Sequence, residues 1–562
     1  MTLQGSGAIS LANIRDEFGG SGAVSLGDYY GAADSITRSG AISIGNFHGK
    51  SNYYVAQHKF FESGLTVGDN GSYGIANGND DGTAIFTGSA SIPNNMVPHV
   101  GIIAKHDGAG IVWARHFEME KYPYYWDGSF GGGSSYDGVS TRFVKSATDS
   151  TGIYAAGESR GYVRGTNIEN LFVVKYNHSG TVQWAKACAT GPVSNNKSAM
   201  SVSEVAVDSN NVYVCGGIGN SSSDRTWRAK WDEAYVWAFN KSTGALNWKY
   251  HIDHDRMFVG VHTFDDGYVY LCMQDTRRSS ITKLNTSGTL QWVKQYGDGF
   301  MKAHCMIGAY QGSTKYLWLA GESGGGSYES GSWLKINTDG GMEWEGTLSN
   351  LDMPAFTSSR RLVHAADSDD HIIFLWNIAH YATNSSTKYR GLLTRIRKSD
   401  GVCVKQVALV NNVDSGTPAQ LWGGITMVRH NGKERYLAVT TQADDNSANN
   451  QVWIIRIPAD LVTHNGSGTQ ATFSTWEFWN LDSGASSNDG IPYSYSTFDQ
   501  NPRNTTTARF YDSDNAQDYS SSLDLNPSYN HFCVTATTSG MMQYLARNAD
   551  FTNERKTHIN AP

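Results

Sequence analysis

The chain has 562 residues, 17% of them charged and 12% aromatic, with 61 Gly, only 11 Pro and a formal net charge of −8. Such a profile suits many short strands joined by tight polar turns. It excludes a helical bundle, which needs more Ala, Leu, Glu and Lys, and a disordered chain, which lacks aromatics. No basic run offers a nucleic acid a footprint, and no stretch reaches the roughly 18 apolar residues of a membrane-spanning helix. The first residues, Met1-Thr-Leu-Gln-Gly5, have neither the basic start nor the apolar core of a signal peptide.

One phrase occurs three times before residue 51: Ser6-Gly-Ala-Ile-Ser-Leu11, Ser21-Gly-Ala-Val-Ser-Leu26 and Ser39-Gly-Ala-Ile-Ser-Ile44. Each is followed by an aromatic: Phe18, the pair Tyr29-Tyr30, and Phe47. The second Ser of each copy (Ser10, Ser25, Ser43) is placed to accept from the free N–H groups of a short helix, so each copy reads as extended segment, cap, then one or two helical turns. Fifty residues cannot bury three such apolar faces unaided. Residues 1–52 are therefore expected to be a docking segment, with Ile9, Leu11, Ile14 and Phe18 from the first copy, Val24, Leu26, Tyr29 and Tyr30 from the second, and Ile42, Ile44 and Phe47 from the third at the contact.

The run from Gly7 to Gly20, then Val24-Ser-Leu-Gly-Asp-Tyr-Tyr30, then Ala41-Ile-Ser-Ile-Gly-Asn-Phe-His-Gly49, resembles a segment that recurs in tail and virion structural proteins of marine and cyanobacterial phages. The resemblance covers the first fifty residues. It implies a virion part attached to the tail, without saying which tail part; synthesis in a host cytoplasm is expected from the lack of a signal-like start, with other tail or baseplate proteins as partners and an oligomer in the virion. It transfers no catalytic residue.

From residue 53 the chain repeats a unit of roughly 45 to 65 residues, the length of a four-stranded propeller blade. The best-preserved part is an apolar strand, an Asn-x-x-Gly turn and a Trp-bearing strand: Asn177 to Gly180 before Trp184, Asn240 to Gly244 before Trp248, Asn285 to Gly288 before Trp292, and Asn337 to Gly340 before Trp344. A weaker copy carries Trp113. These five Trp are expected to staple neighbouring blades. Upstream hairpins such as Asp149 to Gly152 and Asp208 to Asn211 complete seven units. Strand-like runs at 531–537 and 541–547 lack an outer strand, and 53–61 reads as an outer strand without a blade. Joining them gives an all-β propeller of eight blades, with seven as the alternative, spanning 53–562 and closed by the N-terminal strand, since an open ring exposes strand edges.

In such a meander the short a–b and c–d turns share one face. The long insertions (117–142, 158–170, 217–233, 378–389 and 481–504) gather on the other, where binding is expected. Tyr122, Tyr124, Tyr125 and Trp126, with Tyr493 and Tyr495, fall in these insertions and suit stacking on sugar rings of a host-surface glycan.

The six cysteines show no CxxC spacing and are expected to be reduced core residues. The Asp-rich turns at 79–82, 149, 208, 265–266 and 367–370 read as hairpin turns rather than Ca²⁺ loops, because the EF-hand spacing is absent. The phrase Asn240 to Trp248 also resembles the repeat of quinoprotein dehydrogenases and of the outer-membrane assembly propeller, in which the Trp packs between blades. Quinoprotein catalysis further implies a vicinal cysteine pair, which this sequence lacks, so no cofactor and no metal are expected. The histidines form no HExxH cluster, and no GxSxG lies at a strand–helix turn. The expected function is attachment or host recognition by a virion protein without catalysis. The rivals are a lectin-like adhesin and a glycan-degrading propeller enzyme, whose dispersed carboxylates sequence would not reveal.

Overall fold

The computed structural model describes residues 7–18, 25–29, 41–47, 54–62, 74–90, 100–108, 110–119, 140–163, 166–190, 197–220, 231–253, 257–274, 279–296, 301–323, 330–348, 363–377, 389–411, 422–443 and 451–461, and beyond these a set of strands between 471 and 560. The chain is a seven-bladed β-propeller. Blade 1 comprises strands Gly74–Asn77, Ala84–Ala90, Val100–His106 and Ile111–Met119; blade 2 Ser140–Asp149, Gly152–Val163, Thr166–Tyr176 and Val182–Thr190. Blade 3 runs from Lys197–Val207 to Leu246–Asp253, blade 4 from Met257–Thr263 to Leu290–Tyr296, blade 5 from Met301–Gln311 to Met342–Leu348, and blade 6 from Val363–Asp367 to Cys403–Asn411. Strand a of each blade faces the axis, and strand d is the outer strand of the four. Cores lie between successive blades: Tyr154, Trp184, Val212 and Trp237 pack together across blades 2 and 3, and Trp318, Trp344, Phe374 and Trp376 across blades 5 and 6.

Blade 7 takes strands a to c from Trp422–His430, Lys433–Ala443 and Gln451–Ile457, and its strand d from Tyr54–Glu62 at the other end of the chain. The closing strand pairs antiparallel with the third strand, Ala56 opposite Arg456 and Phe60 opposite Val452. Closure by the N-terminal strand thus occurs, but at a seventh blade. Among the described residues no eighth is assembled, because the expected pieces are used elsewhere. His531–Ala536 lies outside blade 2, pairing with Val182–Thr190, and Tyr544–Asn548 lies outside blade 1, pairing with Ile111–Met119. Trp476–Leu481 likewise lies outside a blade, adding a fifth strand to blade 6. A strand-like run does not specify its partner, and these pairings are non-local.

Two further expectations change. Residues 158–163 and 166–170 are not a loop insertion but belong to the arms of a long hairpin, Gly152–Val163 with Thr166–Tyr176. Tyr493 and Tyr495 belong to strand Tyr493–Thr497, which pairs outside blade 5 with Tyr495 opposite Gly346, so they lie at the rim of the ring. Among the cysteines, Cys215, Cys272, Cys305 and Cys403 are buried free thiols as expected, whereas Cys188 is disulfide-bonded.

The Asp-rich turns bind backbone and cations of their own chain. Asp208 accepts from the N–H groups of Asn210 (2.7 Å) and Asn211 (2.6 Å). Asp149 accepts from Thr151 N–H (2.7 Å) and from Lys241 Nζ of blade 3 (2.8 Å). At the ring seam Asp80 accepts from the N–H of Gly432 in blade 7 at 2.7 Å. These carboxylates fix turns and sew blades together.

The repeated Trp also work between blades. Trp113 Nε1–H donates to the carbonyl of His178 (3.0 Å), Trp184 to Lys241 (3.2 Å) and Trp248 to Thr286 (2.8 Å); each acceptor sits in the c–d turn of the next blade. The turn glycine lies against the same ring: Gly180 on Trp113, Gly244 on Trp184, Gly288 on Trp248 and Gly401 on Trp344. Trp292 departs from the pattern. There Lys294 lies against Gly340 and donates to the Asp339 carbonyl, while Trp292 packs on the blade 4–5 core. A cation two residues past the Trp was not singled out in the sequence: Arg115 Nε donates to the Gly180 carbonyl at 2.9 Å, as Lys294 does to Asp339. The W-x-R/K spacing was its only signal.

Candidate functional site

The three N-terminal copies fold as short helical turns, an α-helix at Leu11–Phe18 and 3₁₀ turns at Leu26–Tyr29 and Ile44–Phe47, with cap hydrogen bonds in the first and third. Ser10 Oγ accepts from Asn13 N–H (3.2 Å), and Asn13 Oδ1 accepts in return from Ser10 N–H (2.9 Å). Asn46 Oδ1 accepts from Ser43 N–H (2.6 Å) in the third copy. This is a capping box with Asn in the position usually held by Glu or Gln. Its companion is an apolar pair at N′ and N4, the hydrophobic staple, one residue before and four after the cap.

The N4 residues are Ile14, Tyr29 and Phe47, and all three are fully buried. Tyr29 and Phe47 meet edge to face with centroids 6.2 Å apart. The Arg435 guanidinium of blade 7 stands 5.8 Å from the Tyr29 ring. These three side chains are thus buried within their own chain, contrary to the expectation that they face a partner, and Tyr29 and Phe47 pack on each other. The cap-flanking residues remain half-exposed: Ile9 and Leu11, Leu26, and Ile42 and Ile44. Aligning copies by aromatics matched Phe18 with Tyr29 and Phe47, but the capping geometry aligns Ile14 instead. The Phe18 side chain, Val24 and Tyr30 lie outside the described residues, as do Tyr122, Tyr124, Tyr125 and Trp126.

Arg435 follows closely on the a–b turn of blade 7, and Tyr54, where the closing strand begins, lies at the same end of that blade, just past the pairing of Ala56 with Arg456. The capped turns therefore stand at the short-turn face. The d–a crossovers and b–c connections leave from the opposite face, whereas the expected insertion 481–504 instead links the strands added outside blades 6 and 5.

Down the axis runs a cavity of about 300 Å³ lined by first strands of all seven blades. Lys145 and Glu204 occupy equivalent bulge positions of blades 2 and 3, with 4.0 Å between Nζ and Oε2. His262 stands beside them, its pKa pushed down to about 4 by burial against the opposing pull of Asp266 and Glu204. Towards the insertion-bearing face are two buried carboxylates that the sequence reading did not name, Glu158 and Glu322, both in an Ala-Gly-Glu-Ser phrase of a second strand. Glu158 pairs with Arg142 and accepts from the Val202 N–H of blade 3 (2.8 Å); Glu322 pairs with Lys302. Glu158 thereby satisfies an N–H beside the bulge in the adjoining strand, a blade-joining role.

Burial also governs His251, which accepts from Trp237 Nε1–H at 2.9 Å and whose pKa falls to about 3 through burial and the nearby Lys249. An unfolded histidine takes a proton near pH 6.5, so the unfolded state binds more protons below that value. Stability is complete above pH 6.5 and lost as pH falls. Between pH 6.5 and 5 the loss from this residue is about 2 kcal/mol. Denaturant melts at pH 7 and 5 are expected to differ accordingly, and His251→Gln, which keeps an acceptor for Trp237, to remove that share of the difference. An unchanged pH slope in the variant refutes the assignment.

No protein-family model matches the chain, and no curated protein matches it. Among solved structures it is similar to a neuraminidase-like protein from A/bat/Guatemala/164/2009 (10% identity, 56% of this chain and 87% of that one, TM-score 0.33). It is also similar to the Dos1 propeller (7%, 72% and 95%, 0.36) and to an exo-beta-1,3-galactanase from Clostridium thermocellum (9%, 77% and 100%, 0.28). At these values none carries an argument about what this chain does; the propeller rests on its own strand pairing.

Proposed function

We propose that the chain is a structural protein of a bacteriophage virion, in the tail, baseplate or tail fibre, held through residues 1–52 and displaying its propeller for assembly or host recognition. The observation that carries this reading is the division of faces. Capped turns presenting half-exposed Leu11, Leu26 and Ile44 at equivalent positions stand at the short-turn side, and the insertion-bearing connections leave from the other. A protein anchored by one face and reading a surface with the other needs this separation. The resemblance of the three phrases to phage tail proteins supplies the particle.

Replacing Leu11, Leu26 and Ile44 together by Asp is expected to leave the melting temperature of the isolated protein within about 2 °C, because half-exposed positions contribute little. The same change is expected to cut incorporation into purified particles at least tenfold by immunogold labelling. Particles carrying the variant at wild-type copy number refute the docking role. A host-surface glycan is the partner assigned to the insertion face, and Trp126→Ala is expected to abolish binding on a glycan array. The reading assigns no catalysis, so reducing sugar released from host envelope overturns that part.

A further inference from the structure

Five strands after residue 471 pair with the outer strand of a blade, always antiparallel. In chain order they are Trp476–Leu481 on blade 6, Tyr493–Thr497 on blade 5, His531–Ala536 on blade 2, Tyr544–Asn548 on blade 1 and Phe551–Asn560 on blade 7. The chain first builds the ring in one direction and then travels round its outside in the other. The last of these strands covers the closing strand itself, Tyr54 opposite Asn560 and Glu62 opposite Phe551. The C-terminal segment is thus a strap wound over the ring, and its end holds the N-terminal closure in place.

At one point the strap meets a cysteine. Cys188, on the outer strand of blade 2, is fully buried and disulfide-bonded; Cys533 of the strap is its directly opposed register partner, and Cys215, Cys272, Cys305 and Cys403 are free thiols. Opposed residues of an antiparallel pair have Cα atoms about 4.5–5.5 Å apart, within the span a disulfide bridges without moving the backbone. We propose that Cys188 and Cys533 form a redox lock that fastens the strap to the ring after folding. The two thiols give up two protons and two electrons as the S–S bond forms. A small disulfide such as oxidised glutathione takes them up through a mixed disulfide and leaves as two thiols. In a reducing cytoplasm the strap is held by its ladders alone; on exposure to oxidant it becomes covalent. The proposal does not depend on the virion reading, since it concerns only this chain.

The test uses full-length protein with a specific protease site inserted after residue 518, between the blade 5 and blade 2 parts of the strap. After cleavage, protein oxidised with glutathione disulfide is expected to run at full mass on a denaturing gel without reductant and as two fragments with it. Two fragments without reductant, or peptide mapping that joins Cys188 to a different cysteine, overturn the pairing. For the lock, Cys533→Ser and Cys533→Ala are each expected to lower the Tm of oxidised protein by about 5 °C and leave that of reduced protein unchanged. Equal Tm values for oxidised wild type and both variants overturn the locking role while leaving the docking test unaffected.

Discussion

Removing residues 1–62 is expected to abolish cooperative folding, while removing 1–52 leaves a soluble propeller with a sharp melt. The longer deletion takes away Tyr54–Glu62, which makes five register pairs with Gln451–Ile457 on one side and nine with Phe551–Asn560 on the other. At about 1 kcal/mol net per ladder hydrogen bond, the loss is on the order of 10 kcal/mol, comparable to the whole stability of a typical domain. It also leaves two unpaired strand edges, which invite aggregation. A single substitution makes the same point. A strand paired on both sides has no edge at which an N–H is dispensable, so His58→Pro breaks a ladder whichever neighbour that N–H serves, at a cost of about 3 kcal/mol or more. Circular dichroism melts of both deletions and of His58→Pro provide the readout. If the two deletions melt alike, the N-terminal strand does not close the ring.

The need for that strand was legible because closure is a global requirement with a local sign, an orphan strand at one end of the chain, although the runs expected to receive it, 531–537 and 541–547, pair elsewhere. The Asn-to-Gly turns were legible for a local reason, since Gly180, Gly244, Gly288 and Gly340 all take positive φ. Partner choice was not legible. His531–Ala536 reads as a strand whatever it pairs with, and nothing near Cys533 announces that Cys188 lies opposite; hence eight blades were favoured over the alternative of seven, and the cysteines were expected to be reduced. The capped turns fall between these cases. The Ser caps were readable, but choosing Phe18 over Ile14 as the counterpart of Tyr29 followed residue type instead of position. The rule that N4 packs inward would have selected Ile14.

The other large effect is expected at the joints between blades. Trp184→Ala removes a ring that is 9% exposed, packs in the blade 2–3 core and donates to the Lys241 carbonyl across the interface. The expected cost is about 3–5 kcal/mol, the range for deleting a buried Trp. The turn glycine that receives the ring has two reasons to be glycine. Gly244 has φ +68°, and a Cβ there would stand 2.7 Å from the Trp184 ring. Gly244→Ala therefore carries both the left-handed penalty of about 1–2 kcal/mol and a clash with Trp184. In a Trp184→Ala background only the backbone penalty and the Lys186 contact remain, since Lys186 Cε is also 2.8 Å away but ends a flexible chain. A double-mutant cycle by denaturant melts is thus expected to show coupling of about 1–3 kcal/mol between residues in different blades. Gly267, also at positive φ but with nothing within 4 Å, serves as the control: Gly267→Ala is expected to show the backbone penalty alone and no coupling to Trp184. Additive behaviour at Gly244 would mean that the repeated Trp fills space without setting how one blade seats on the next.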